Sequence, residues 1–86
     1  MQIVLIGAMW CPSCIIMTNR LQKIVSADPS LDLVQYDFDL DIKMVEKYVP
    51  GKILPLVVLE KGGKELIRFS GELSQKDIMK KIGEYK

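Results

Sequence analysis

Histidine is missing from this chain altogether, and cysteine occurs only twice. Without imidazole there is no Cys–His nucleophile and no histidine metal ligand, so any chemistry rests on thiols, carboxylates and backbone. No charge predominates either. Twelve basic and eleven acidic residues leave a net +1, with both signs spread along the chain, which gives no nucleic-acid tract and no polybasic membrane anchor. No apolar run approaches the ~20 residues of a bilayer span. Met1 leads straight into an apolar strand, without the basic region and small-residue cleavage site of a signal peptide. A cytoplasmic protein is expected, with neither membrane nor nucleic acid among its partners.

The 86 residues are 49% hydrophobic and 27% charged. That suffices for one core without metals or multiple disulfides, so residues 1–86 are expected to form a single, monomeric domain. Gln2-Ile3-Val4-Leu5-Ile6 is a continuous apolar run, the pattern of a strand covered on both faces. Gly7 to Trp10 forms a loop. From about Cys11 to Ser26, Ile15, Leu21, Ile24 and Val25 recur at helical spacing, with Pro12 in the first turn, where its missing N–H costs nothing. Leu33 to Phe38 reads as a second strand. Asp39 or Asp41 is placed to cap a short helix carrying Ile42, Val45 and Val49, which Pro50-Gly51 stops. A strand–helix–strand unit implies parallel strands. Leu56 to Glu60 and Glu65 to Phe69 flank Gly62-Gly63, a hairpin signal. Ser74 is then an N-cap, with Asp77 at the capping-box position and Leu73 stapling to Ile78. Met79 and Ile82 continue that helix's apolar face, and Gly83 predicts fraying near its end. The order is βαβαββα.

Both cysteines lie in Trp10-Cys11-Pro12-Ser13-Cys14, where the first strand gives way to the first helix. A helix N-terminus offers unpaired N–H groups and the positive end of the backbone dipole, which favour a thiolate over a thiol. Cys11 is therefore the candidate nucleophile. Cys14, one turn into the helix and more buried, is placed to resolve whatever Cys11 attacks. A structural disulfide across so short a loop would be a poor staple, and cytosolic CxxC pairs favour redox or metal chemistry. Met9-Trp10-Cys11-Pro12-Ser13-Cys14 also fits the Met-x-Cys-x-x-Cys pattern of small copper-transfer domains, and soft thiolates suit Cu(I). Those domains run βαββαβ and end on a strand. A redox-inert binding module is disfavoured by the presence of both thiols. Asp37, Asp39 and Asp41 form an alternating acidic run, more in keeping with capping and solvation than with a cation site. Met9, Met17, Met44 and Met79 read as core or rim fillers.

The element order, with Trp-Cys-x-x-Cys after the first strand, resembles the thioredoxin-like family over essentially the whole chain. Ile53-Leu54-Pro55 stands just before the third strand, where that family has a cis-proline beside its active site, and Phe69 to Ser74 is similar to its strand–glycine–helix junction. The resemblance implies an α/β fold with a four-stranded mixed sheet in the order 2-1-3-4. The first and third helices would lie on one face and the second helix on the other. It also implies a thiol–disulfide oxidoreductase that uses no cofactor beyond the Cys11–Cys14 disulfide. Its partners would be protein disulfides, and a disulfide reductase or low-molecular-weight thiol would reset it. Pro12 and Ser13 would tune the redox potential, while Trp10, Leu54, Pro55 and Gly71 would form the substrate groove. Thioredoxins proper carry a further N-terminal strand and helix that this sequence does not show, and Gly-Pro between their cysteines. Their buried aspartate and lysine fall here on Leu5 and approximately Gln35, so both halves of that ion pair are replaced together, as the cost of one buried charge requires. Glutaredoxins match in size and in Cys-Pro-x-Cys. Their glutathione-binding glycine pair and aspartate are replaced by Ser70-Gly71-Glu72.

Overall fold

The apolar run after Met1 becomes the central strand β1 (Gln2–Gly7), and its side chains alternate between two cores. Ile3 and Leu5 face one side with Val57 and Leu59; Val4 and Ile6 face the other with Leu56 and Val58. This computed structural model describes residues Met1–Lys86. β2 (Asp32–Asp37) pairs parallel to β1, whereas β3 (Leu56–Lys61) pairs antiparallel to it and β4 (Lys64–Ser70) antiparallel to β3. The resulting four-stranded mixed sheet has the order β2-β1-β3-β4, as expected. Gly62 and Gly63 form the two-residue β3–β4 turn with φ of 62° and 78°, the doubly positive pair such a turn demands.

Helices α1 (Pro12–Ala27) and α3 (Gln75–Tyr85) cover the Ile3–Leu5 face, while α2 (Ile42–Tyr48) covers the other. No helix is long and apolar enough to cross a membrane. The buried stripe of α1 is Cys14, Met17, Leu21 and Ile24, so Ile15, expected on that face, is instead 55% exposed. The Ser74 half of the α3 capping box is formed, its hydroxyl accepting from the Asp77 N–H at 3.1 Å. Arg20 ties α1 to the segment before α3 by donating to the Leu73 carbonyl at 2.6 Å.

Several expected details are corrected. The α2 stripe is Met44, Val45 and Tyr48 rather than Ile42, Val45 and Val49, and Ile42 and Val49 are exposed. Tyr48 anchors the helix because its ring is buried while its hydroxyl donates to Glu60 at 2.8 Å. Met17 is fully buried and Met44 half-buried, but Met9 and Met79 lie at the surface. α3 runs through Gly83 to Tyr85. One glycine costs only about 1 kcal/mol, and Ile82 beside it is locked into the core.

Val49 ends α2 in the left-handed region, at φ 49°. A β-branched residue is strained there by about 1–3 kcal/mol, and its side chain is 71% exposed. Val49→Asn should therefore stabilise the protein by about 1 kcal/mol, read as a raised urea midpoint at constant slope. An unchanged or lower midpoint would contradict that strain.

Candidate active site

The last residues of β1 and the first turn of α1 meet at Gly7. A Cβ at that position would lie 3.0 Å from Cys14 Cβ and 3.1 Å from Cys14 Sγ, so only glycine allows the helix so close to the strand. Ala8, Cys11 and Cys14 form a small buried cluster against which Leu54 and Phe38 pack. The turn is held by the Cys11 N–H donating to the Ala8 carbonyl at 3.2 Å.

Cys11 is the N-cap of α1, and its sulfur accepts from the Cys14 N–H at 3.3 Å. Its other neighbour is the Leu54 carbonyl oxygen, 4.0 Å from the sulfur. Both cysteines are free thiols. Cys14 is only 4% exposed. Its thiol is pushed up to about 11, first by burial, then by its hydrogen bond to Cys11 and the charge there; a hydrogen bond from the Ala8 backbone acts in the opposite direction. The two sulfurs are thus unlike: one receives an N–H at a helix start, and the other keeps its proton.

Around this pair, Pro12 is exposed in the first turn of α1 and Ser13 is half-buried. Trp10 is 66% exposed, and its indole N–H is fixed by Asp39, which accepts at 2.8 Å. The Leu54–Pro55 peptide is cis. Pro55 itself is fully buried, so its ring offers no contact surface; Leu54 stays half-exposed beside Cys11. Gly71, at φ 85°, donates its N–H to the Pro55 carbonyl at 2.9 Å. A side chain there would meet Ile53, which is itself exposed. The segments holding Trp10, Cys11, Leu54 and Gly71 therefore converge.

Sequence reasoning passed over Gly7, Ala8, Ile53 and Asp39. For Gly7 a signal existed: a glycine closing a run of bulky apolar residues four positions before a cysteine. The acidic run builds a turn. Asp37 Oδ1 accepts from the Asp39 and Leu40 N–H groups at 2.8 and 3.1 Å, and Asp41 Oδ2 accepts from the Asp37 N–H at 2.7 Å. Asp41 occupies the α2 N-cap, but its side chain makes no capping bond. No group of three histidine, cysteine, aspartate or glutamate side chains is placed to hold a metal ion; a soft ion would have only the two thiols. Behind Cys14 lies a cleft of about 320 Å³, lined by Gly7, Thr18, Gln35, Asp37 and Asp41 among others.

The raised Cys14 value has a consequence for stability. The folded protein holds that proton to about 11, against an ordinary 9.0, so the stabilising contribution is complete below pH 9 and lost as pH climbs through 11. The urea midpoint of the reduced protein should fall over pH 9–11 more steeply in wild type than in Cys14→Ala. Parallel curves would contradict the assignment.

No family model matches the sequence, and no curated protein matches it significantly. Solved structures do. The X-ray structure of Fasciola hepatica thioredoxin superposes with a TM-score of 0.89 at 26% identity, over 99% of this chain and 80% of that one. Mitochondrial thioredoxin 3 from Saccharomyces cerevisiae, in its oxidised form, gives 0.83 at 24%, over 96% and 76%. Thioredoxin 1 from the thermophilic eubacterium Thermosipho africanus gives 0.86 at 20%, over 99% and 93%. With that superposition and the strand order β2-β1-β3-β4, the chain has the thioredoxin-like fold.

Proposed function

We propose that this protein is a thiol–disulfide oxidoreductase acting on protein disulfides, with Cys11 as nucleophile and Cys14 as resolving thiol. The observation that carries this reading is the asymmetry of the pair. Both cysteines are buried, but the Cys11 sulfur caps α1 and accepts the Cys14 N–H at 3.3 Å, whereas the Cys14 thiol, the more deeply buried, holds its proton. A thiolate at Cys11 attacks one sulfur of the substrate disulfide, forming a mixed disulfide and releasing the other sulfur as a thiolate. Cys14 loses its proton and attacks the Cys11 sulfur; the Cys11–substrate bond breaks, and its electron pair leaves with the second substrate sulfur. The substrate gains two electrons, and the enzyme retains a Cys11–Cys14 disulfide that a reductase or low-molecular-weight thiol reopens.

Trp10, Leu54 and Gly71 receive the substrate in this reading. Support comes from the exposed indole held next to the nucleophile, and from the half-exposed Leu54 whose carbonyl faces the Cys11 sulfur. An incoming peptide would pair with the Leu54 backbone as an added strand. Pro12 and Ser13 would set the potential through the geometry of the first turn. A cytoplasmic place in electron transport and redox homeostasis fits a dithiol kept in reduced form.

Iodoacetamide should label Cys11 at least about tenfold faster than Cys14 at neutral pH. Cys14→Ala should trap mixed disulfides with protein partners, and Cys11→Ala should trap none. Slow, equal labelling together with stoichiometric tight Cu(I) binding and no reduction of insulin disulfides would instead identify a soft-metal carrier.

A further inference from the structure

Resolution requires Cys14 to release its proton, yet no titratable side chain other than Cys11 is buried against it. The sheet beneath it carries Leu5 and Gly7. In the parallel register, Gly7 pairs with Asp37 just as Leu5 pairs with Gln35 two residues earlier. Residues two apart on a strand share a face, and Leu5 packs with Met17 and Leu21 of α1. Asp37 therefore lies on the face that α1 covers, next to a residue without a side chain. Neighbouring strands run about 4.8 Å apart, and a Gly7 Cβ would already be within 3.0 Å of Cys14 Cβ. Cys14 Cβ and Sγ thus fill the place a Gly7 side chain would take, one strand spacing from Asp37, and Cys14 and Asp37 line the same cleft of about 320 Å³, ample for water. The carboxylate is held in place by Oδ1, which accepts two turn N–H groups. Its Oδ2 is not engaged in that turn.

We propose that Asp37 is the proton acceptor of the resolving step, taking the Cys14 proton through water in the Gly7 cleft. This rests on the oxidoreductase reading. As the Cys14 S–H proton passes by way of water to Asp37, the Cys14 sulfur bonds to Cys11; the Cys11–substrate bond breaks and the substrate leaves as a thiolate. Asp37 later returns the proton to solvent at the open mouth of the cleft. The titratable groups lining that cleft are Cys14 from α1, Tyr36 and Asp37 from β2, and Asp41 from the turn before α2; β1 contributes none.

The test is a mixed disulfide between Cys11 and thionitrobenzoate, formed from the aromatic disulfide reagent, with release of the second thionitrobenzoate anion followed by stopped flow. Wild type should release it at a rate nearly level between about pH 6 and 8, because a built-in general base rather than hydroxide takes the proton. Asp37→Asn retains an oxygen for the turn N–H groups but no base. It should slow release at neutral pH by about tenfold or more, and its rate should then climb about tenfold per pH unit, as direct ionisation of Cys14 demands. Cys11 alkylation should be unaltered. Release from Asp37→Asn at the wild-type rate and with the wild-type profile would overturn the proposal. So would a wild-type rate that itself climbs tenfold per unit, a result that needs no variant to fold. Failure of wild type to form or resolve the mixed disulfide at all would instead defeat the oxidoreductase reading.

Discussion

The approach of α1 to the end of β1 is the constraint on which the site depends. With Cys14 Cβ only 3.0 Å from where a Gly7 Cβ would be, the first turn of the helix sits directly on the strand, and Cys14 is sealed beneath it. The cap geometry of that turn directs the Cys14 N–H at the Cys11 sulfur. The sheet makes this possible by being apolar on both faces at β1. Its central strand is fixed by parallel and antiparallel neighbours alike, so its last residue is a rigid platform for the helix start.

From that platform follows a division of labour between two chemically identical residues. Burial disfavours the charged form of a thiol, while an N–H donor at a helix start favours it. Three residues of separation suffice to make one sulfur the N–H acceptor and the other the more deeply buried thiol, because a helical turn carries the second residue back under the first. The Leu54–Pro55 segment completes the arrangement from the other side: Pro55 is buried as a wedge, the Gly71 N–H is bonded to its carbonyl, and the Leu54 carbonyl faces the Cys11 sulfur. Gly71 is called for by its φ of 85°, which L side chains rarely adopt.

Much of this was legible in the sequence, and what was not has definite physical reasons. The unbroken apolar run of β1, the Gly62-Gly63 turn and the Ser74 cap are local signals, and each fixed its element to within a residue or two. The dithiol was legible because its two residues are neighbours in the chain. The stripes of α1 and α2 were misjudged where an apolar residue lay one step off the buried row. Ile15 and Ile42 have the composition of core residues, but their angular position is set by where the helix starts, and a one-residue difference rotates a side chain by about 100°. Tyr48 was overlooked in α2 because its hydroxyl suggests a surface, whereas Glu60 on β3 satisfies it. Gly7, Asp37 and Asp39 depend on strand register and on contacts across the fold, which no local pattern carries.

The register also explains how a dithiol works over an uncharged core. A carboxylate at Leu5, packed among Met17, Leu21 and Val57, would need a buried partner, and either charge alone would cost several kcal/mol. Leu5 and Gln35 avoid that cost and leave the core under α1 fully apolar. Two pairs further along the same two strands, at Gly7 and Asp37, the sheet meets solvent. There the Asp37 carboxylate is anchored by its own turn, and the missing side chain of its partner lets the Cys14 sulfur settle beside it. Stability and proton transfer are thereby served by two same-face rungs of one ladder: the inner rung keeps charge out of the core, and the outer rung places a carboxyl group where water can follow.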